Sequence, residues 1–255
     1  MRIVSLCPSL TELVFDLGLG ESLVGRTKFC VHPADRVGAI EKVGGTKNPK
    51  VERIVELAPD LVLLNEEENR IEDAEALAAA GLRCHTSMPV TVEDTAAMVR
   101  SIGAAVEREE AAAAIAADIE DRAARVRLAA AGKPAVSYAY LIWRDPIMTV
   151  ADDTFVAELL GLAGGVNVFG GAEERYPTVS AAELAAADPD GVLLSTEPFP
   201  FDESYRDELV DATGLAAERF HIVDGELLSW HGSRTPAGID YAKKVIERLR
   251  APVRS

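Results

Sequence analysis

The sequence predicts an α/β protein of two Rossmann-like lobes joined by one long α-helix, and three observations predict it. Residues 58–68 read Ala-Pro-Asp-Leu-Val-Leu-Leu-Asn-Glu-Glu-Glu. Residues 187–197, Ala-Asp-Pro-Asp-Gly-Val-Leu-Leu-Ser-Thr-Glu, repeat that order of Pro-Asp pair, apolar run and acidic exit, with the Pro-Asp pair displaced by 130 positions. Each copy reads as a helix end, a tight turn, a buried strand and a loop leaving the strand's carboxyl end. Between the copies, residues 107–131 are rich in alanine with alternating charge, a composition that favours one continuous helix. On both sides of it, strands and helices alternate in the same order. The expected lobes are therefore residues 1–106 and 133–255, with residues 107–132 as the connecting helix.

Taken in order, residues 2–6 form a β-branched strand, and Ser9 with Glu12 has the spacing of a capping box for a helix ending at Gly18. Residues 23–26 are a second strand, whose exit carries Lys28, Phe29, Cys30, Val31 and His32. Asn48 followed by Pro49 resembles an N-cap with proline at the first helical position, opening a helix through Leu57. After the first copy of the repeat come a helix over 72–80, closed by Gly81, a strand over 82–86, and a helix from Thr91 to Ala105. In the long helix Ala112, Ile115, Ile119, Ala123 and Val126 recur at helical spacing, opposite a face of charged residues. Gly132 and Pro134 end it.

The second lobe starts with a strand over 135–142 and a turn at Asp145-Pro146. Asp153 and Thr154 cap a helix ending at Gly164-Gly165, and Ser180 caps the helix leading into the second copy. A late strand over 218–223, a polar loop at 230–235 and a helix over 236–249 close the chain.

Composition narrows the function. A chain of 255 residues with 48% hydrophobic content can bury real cores, which excludes disorder. A net charge of −16 opposes nucleic acid or an anionic membrane surface as partner. Three widely spaced cysteines, Cys7, Cys30 and Cys84, imply no disulfide framework. No apolar stretch approaches the roughly 18 residues that span a bilayer, so no membrane insertion is expected. The first strand follows Met1 almost at once, leaving no room for a secretory leader; as written the chain reads as cytoplasmic, and as periplasmic or extracytoplasmic if a leader has been trimmed. A monomer is expected.

Several stretches together resemble a known family. They are residues 2–12 with Leu17-Gly18, then Leu23-Val24-Gly25, Val43-Gly44-Gly45 leading to residues 51–54, and Ala58-Pro59-Asp60. In the second lobe they are residues 164–169 and Val179-Ser180 ahead of Asp188-Pro189-Asp190. The chain resembles, over nearly its whole length, the substrate-binding proteins of ABC importers for vitamin B12, haem and iron-siderophores, the helical-backbone metal receptors, and is most similar in look to the cobalamin binders. The resemblance implies a class III periplasmic-binding-protein-like fold, a stiff clamp with ligand in the inter-lobe cleft. It implies a cobalamin or other corrinoid, haem or ferric siderophore as ligand, no required cofactor, no catalysis, and an ABC permease as partner. The aromatic cleft positions of the corrinoid binders match His32, Lys47 and Asn65 here. Trp230 matches a cleft tryptophan, and Trp143 and Tyr176 add aromatic surface. The family docks on its transporter through one acidic residue per lobe. Glu52 matches the first, and the second falls on Ala182 with Glu183 beside it.

The residues themselves leave alternatives open. Cys30 and His32, with His231, offer thiol and imidazole ligands for a zinc- or iron-type ion, or are a buried thiol beside loop histidines. The run Glu66, Glu67, Glu68, Asn69, Arg70 is a solvated loop, or it brings Glu67 and Arg70 into the cleft opposite Glu197. Trp143 with Arg144 can stack on and hydrogen-bond a planar or anionic ligand. Residues 44–47 lack phosphate-loop spacing, although Lys47 near a helix start can hold an anion. No nucleophile elbow, zinc-protease motif or dinucleotide fingerprint is present. The alternative to an importer's binding protein is a cytoplasmic stand-alone relative, a sensor, carrier or enzyme for a smaller polar ligand, or a receptor for a bare metal ion.

Overall fold

The computed structural model describes residues 1–251. Residues 252–255, the tail of the lobe expected over 133–255, lie outside the described residues. The chain divides into two compact units: Met1–Pro89, Glu93–Asp118 and His231–Arg234 form one, and Val90–Val92, Ile119–Trp230 and the chain from Thr235 on form the other.

The first half of the chain runs β1 (Ile3–Ser5), α1 (Pro8–Asp16), β2 (Leu23–Arg26), α2 (Val51–Glu56), β3 (Leu61–Asn65), α3 (Ile71–Ala79), β4 (Cys84–Ser87) and α4 (Val92–Ala105). The strands form a parallel sheet in the order β2-β1-β3-β4. β3 is buried at every position because helices cover a parallel sheet on both faces, hence its unbroken run Leu-Val-Leu-Leu. Val4, Leu6, Val43, Ile54, Val62, Leu64 and Leu77 make one core cluster.

The long helix α5 (Glu109–Ala130) is continuous. Its residues to Asp118 belong to the first unit and the rest to the second. Beyond it come β5 (Val136–Leu141), α6 (Phe155–Leu162), β6 (Gly165–Asn167), α7 (Ala181–Ala187), β7 (Gly191–Ser195), α8 (Glu203–Thr213), β8 (Phe220–Val223), α9 (Gly225–Ser229) and α10 (Thr235–Arg250). The second sheet is parallel in the order β6-β5-β7-β8, the same topology as the first. Its core includes Ala139, Leu141, Leu184, Val192, Leu194, Phe201 and Phe220.

The repeated Pro-Asp motif has one physical job in both units. Ala58 and Asp188, each just before the proline, are left-handed at φ 45° and 44°, which stops the preceding helix. The aspartate then receives an N–H at the start of the neighbouring strand: Asp60 Oδ2 accepts from Arg2 N, just before β1, at 2.7 Å, and Asp190 Oδ2 accepts from Ser137 N at 2.8 Å. Each turn thereby pins β3 or β7 to the central strand of its own sheet.

Two local expectations are corrected, and two further helices appear. No capping box forms at Ser9: Pro8 takes the first helical position of α1, so Cys7 is the N-cap and Ser9 lies inside the first turn. Asn48 and Pro49 do not open α2. They close a turn in which Gly45 N donates to Asn48 O, and Lys50 becomes the N-cap. Helices α8 and α9 arise where none was expected. Asp202 caps α8 by accepting from Ser204 N and Tyr205 N, and Gly214 at φ 70° ends it. The expectation at Ser180 holds, with Glu183 completing a full capping box.

Candidate functional site

Because all strands of a sheet run parallel, their carboxyl ends share one edge, and the loops leaving that edge are where such folds place ligands. In the first unit these loops follow β1, β2, β3 and β4, and the segment His231–Arg234 joins them. Arg234 anchors that segment through a two-pronged ion pair to Glu12, with both bonds at 2.7 Å and both side chains mostly buried.

Asn65, the last residue of β3, organises the edge. Its Oδ1 accepts from Glu67 N at 3.0 Å and Glu68 N at 3.1 Å, and its Nδ2 donates to Ser87 O at 3.0 Å and to His231 Nε2 at 3.0 Å. The amide's two lone pairs and two protons are thus taken up inside the protein. Asn69 continues the lattice, accepting from Asn65 N and donating to Leu6 O and Thr46 O. Since two N–H groups fix Asn65 Oδ1, the amide nitrogen faces His231 Nε2, which must accept. The imidazole proton therefore sits on Nδ1 and donates to Ser9 Oγ at 3.3 Å. Burial pushes the His231 pKa down to about 4, only partly offset by Glu67, so the ring is neutral near pH 7.

The set Cys30, His32 and His231 is not assembled as a metal centre. Among the described residues no group of three or more His, Cys, Asp or Glu side chains could hold an ion. Cys30 is fully buried, its sulfur enclosed between Thr11 Oγ1 at 3.0 Å and Thr27 Oγ1 at 3.2 Å, and burial raises its pKa. Cys7 is likewise held as a thiol, pushed up to about 12 by burial. A buried neutral histidine between protonated or hydrogen-bonded neighbours holds geometry; it supplies no activated nucleophile.

The other candidates of the first unit divide. His32, half-buried, sits on the exit of β2, followed by Pro33. Lys47 Nζ donates to Glu67 O at 2.6 Å, tying the loop after β3 to residues 44–47, while burial pushes the Glu68 carboxyl up. Arg70 forks onto Asp73 with two bonds of 3.0 Å and serves the first turn of α3. Phe29, not singled out from the sequence, is 49% exposed on the same edge with the Lys28 ammonium 4.8 Å over its ring.

The second unit's edge is aromatic. Trp143, after β5, is 41% exposed, and its Nε1 donates to Asp145 O at 3.2 Å. Its ring meets Phe199 edge-to-face at 5.6 Å, and Phe199 meets Phe201 at 4.9 Å and Tyr205 at 5.0 Å. Arg144 lies 4.6 Å over the Tyr205 ring and pairs with Glu208 at 2.5 Å. Glu197, on the loop after β7, accepts from Trp230 Nε1 at 2.7 Å, which fixes the orientation of that indole. Tyr176 is half-buried beside the Arg175 guanidinium, 5.9 Å from its ring. Phe199, Phe201 and Tyr205 were missed because they are interleaved with prolines or lie on the unexpected α8. The signal was there: a Pro-Phe-Pro-Phe run directly after a strand exit. At the other end of the helices preceding β3 and β7, Glu52 is exposed on α2, whereas the Glu183 carboxylate accepts from Ser180 N and Oγ, both at 2.7 Å.

Known proteins share this architecture. A vitamin B12-binding protein of Vibrio campbellii is 26% identical over 98% of this chain and 90% of its own length. The crystal structure of the periplasmic vitamin B12 binding protein of Vibrio cholerae superposes with a TM-score of 0.85 at 23% identity, covering 98% and 97% of the two chains. A periplasmic haem-binding protein from Roseiflexus does so with a TM-score of 0.83 at 25% identity over the same shares. The family model for periplasmic binding proteins matches residues 3–216, and the chain belongs to that family.

Proposed function

We propose that this chain is the non-catalytic substrate-binding protein of an ABC importer and that its cargo is a corrinoid or an iron chelate such as haem or a ferric siderophore. The observation that carries the reading is the aromatic edge of the second unit. Trp143, Phe199 and Tyr205 form a contiguous ring cluster with Arg144 over it, whereas Trp230 is buried and held by Glu197. Such a surface suits a large, conjugated ligand carrying peripheral hydrogen-bond acceptors. Related proteins bind vitamin B12 or haem, which are ligands of that shape. On this reading Tyr176 adds further aromatic surface in the second unit, and His32, Lys47 and Glu67 are polar side chains at the strand exits of the first unit. The protein works outside the cytoplasm, as its periplasmic relatives do, and docks through Glu52 and the Glu183 region on a permease.

The test is a titration with cobalamin, cobinamide, haemin and ferric siderophores, following the fluorescence of the two tryptophans. Saturable quenching by one of the four classes is expected, and Trp143→Ala should weaken it by about 1–3 kcal/mol. Silence towards all of them sinks the proposal.

A stand-alone cytoplasmic relative is the second reading. One observation favours it: Ala182 stands at the place on α7 that corresponds to Glu52, while Glu183 is engaged in its own helix cap. Locating the native gene product by cell fractionation separates the two.

A further inference from the structure

The first unit carries a cavity that none of the candidate residues lines. It measures about 380 Å³ and lies where the end of α1, the start of edge strand β2 and the 36–41 segment meet. Leu23, Val24 and Ile40 give it apolar walls. Phe15 forms another, and it is there because residue 20 is glycine: a Cβ at Gly20 would lie 2.4 Å from two carbons of the ring. Over that ring, at 4.8 Å from its centroid, stands the Arg36 guanidinium.

Arg36 is placed differently from four other arginines of the unit. Arg53 forks onto Glu41, Arg70 onto Asp73 and Arg234 onto Glu12, and Arg26 is buried against three carbonyls. Among the described residues the Arg36 side chain has the Phe15 ring and no carboxylate. Glu41, also on the cavity wall, is occupied on both oxygens by Arg53 and so does not neutralise it. The remaining charge on the wall is Glu21, exposed and without an ion-pair partner among the described residues. An oriented guanidinium and an unengaged carboxylate thus border one apolar-walled cavity whose volume lies in the lower range of small-ligand sites.

We propose that this cavity is a second small-molecule site, lined by none of the side chains assigned above to the importer ligand, and that it takes a zwitterion with a short hydrocarbon body, a hydrophobic α-amino acid. The carboxylate pairs with Arg36, which the ring has already oriented, the ammonium pairs with Glu21, and the hydrocarbon rests on Leu23, Val24 and Ile40.

Calorimetry on the whole chain tests it with three probes: L-leucine, isovalerate, which lacks the ammonium, and isoamylamine, which lacks the carboxylate. Leucine should bind saturably at millimolar concentration, and each truncated analogue should bind more weakly. Arg36→Gln should lower leucine affinity about tenfold, the loss of one charge-assisted pair, and Glu21→Gln should lower it by a smaller factor. Both substitutions are at exposed side chains, so the variants should fold. Leucine affinity unchanged in Arg36→Gln, no saturable leucine binding, or displacement of leucine by cobinamide or haemin would each overturn the proposal. The response of Arg36→Gln to cobinamide and haemin should match the parent protein, which keeps this outcome independent of the importer reading.

Discussion

Acidification should weaken the first unit through His231. In the unfolded chain this imidazole titrates near 6.5, whereas in the folded protein burial holds it down to about 4. Between those values the unfolded chain binds a proton that the native protein refuses, so stability is fully present above pH 6.5 and is lost as pH falls towards 4. That displacement corresponds to about 3 kcal/mol for a group that is fully enclosed. Less than half of it should be gone at pH 5.5 and most of it at pH 4.5. Structure explains why the native ring resists: Asn65 Nδ2 already donates to Nε2 at 3.0 Å, so a second proton there would face another donor. The assay is urea unfolding at pH 7, 5.5 and 4.5, read by far-UV circular dichroism because both tryptophans lie in the second unit. Carboxylates contribute to the same pH range, so the quantity of interest is the difference between the parent protein and His231→Gln, in which the His231 contribution is removed. Parallel pH profiles for the two proteins would refute the reasoning. So would an NMR titration of the His231 ring with a midpoint near 6.5 in the native protein.

Asn65→Ala deletes four hydrogen bonds of one buried amide and leaves Ser87 O and His231 Nε2 without that donor, so it should cost about 3 kcal/mol in urea unfolding; a loss below about 1 kcal/mol would show that water replaces the amide readily. Ser180→Ala removes the capping box of α7 and should destabilise the second unit by about 1 kcal/mol, visible in tryptophan-detected unfolding. Ala58→Gly relieves a left-handed alanine at φ 45° and should stabilise the first unit by about 0.5–1 kcal/mol, because the strain relieved exceeds the entropy glycine adds to the unfolded chain; destabilisation would mean that the methyl group packs usefully.

The frame was legible where local chemistry is strong. The Pro-Asp copies located β3 and β7, alanine content located α5, and Ser180 located the start of α7. The reading failed where a tertiary partner decides. Ser9 has cap chemistry, but Pro8 starts the helix and the hydroxyl turns to His231, 222 residues away. Glu12, expected to complete that box, binds Arg234 instead. Cys30 and His32 sit two residues apart, yet the cysteine turns inwards to Thr11 and Thr27, a choice set by side chains from α1 and the loop itself. The aromatic edge was half visible: Trp143 and Arg144 stood out, while Phe199 and Tyr205 gain meaning only once the loop after β7 and the first turn of α8 lie beside the loop after β5.

The two strand exits invite a sharper reading of polarity. Asn65 and Ser195 occupy equivalent places and do equivalent work: Asn65 Oδ1 accepts from two N–H groups of its own loop, and Ser195 Oγ accepts from Glu197 N while donating to Glu197 O. Side-chain length separates them. The longer amide also reaches Ser87 and His231, whereas the shorter hydroxyl leaves room for Tyr140 to donate to it at 2.9 Å. A polar residue at position 65 is therefore required by loop architecture, because the N–H groups of Glu67 and Glu68 need an acceptor there. Its polarity carries no information about the polarity of the ligand. The absence of an aromatic at that position then weighs little against a large conjugated cargo, and the weight moves to the second unit, whose edge carries Trp143, Phe199 and Tyr205.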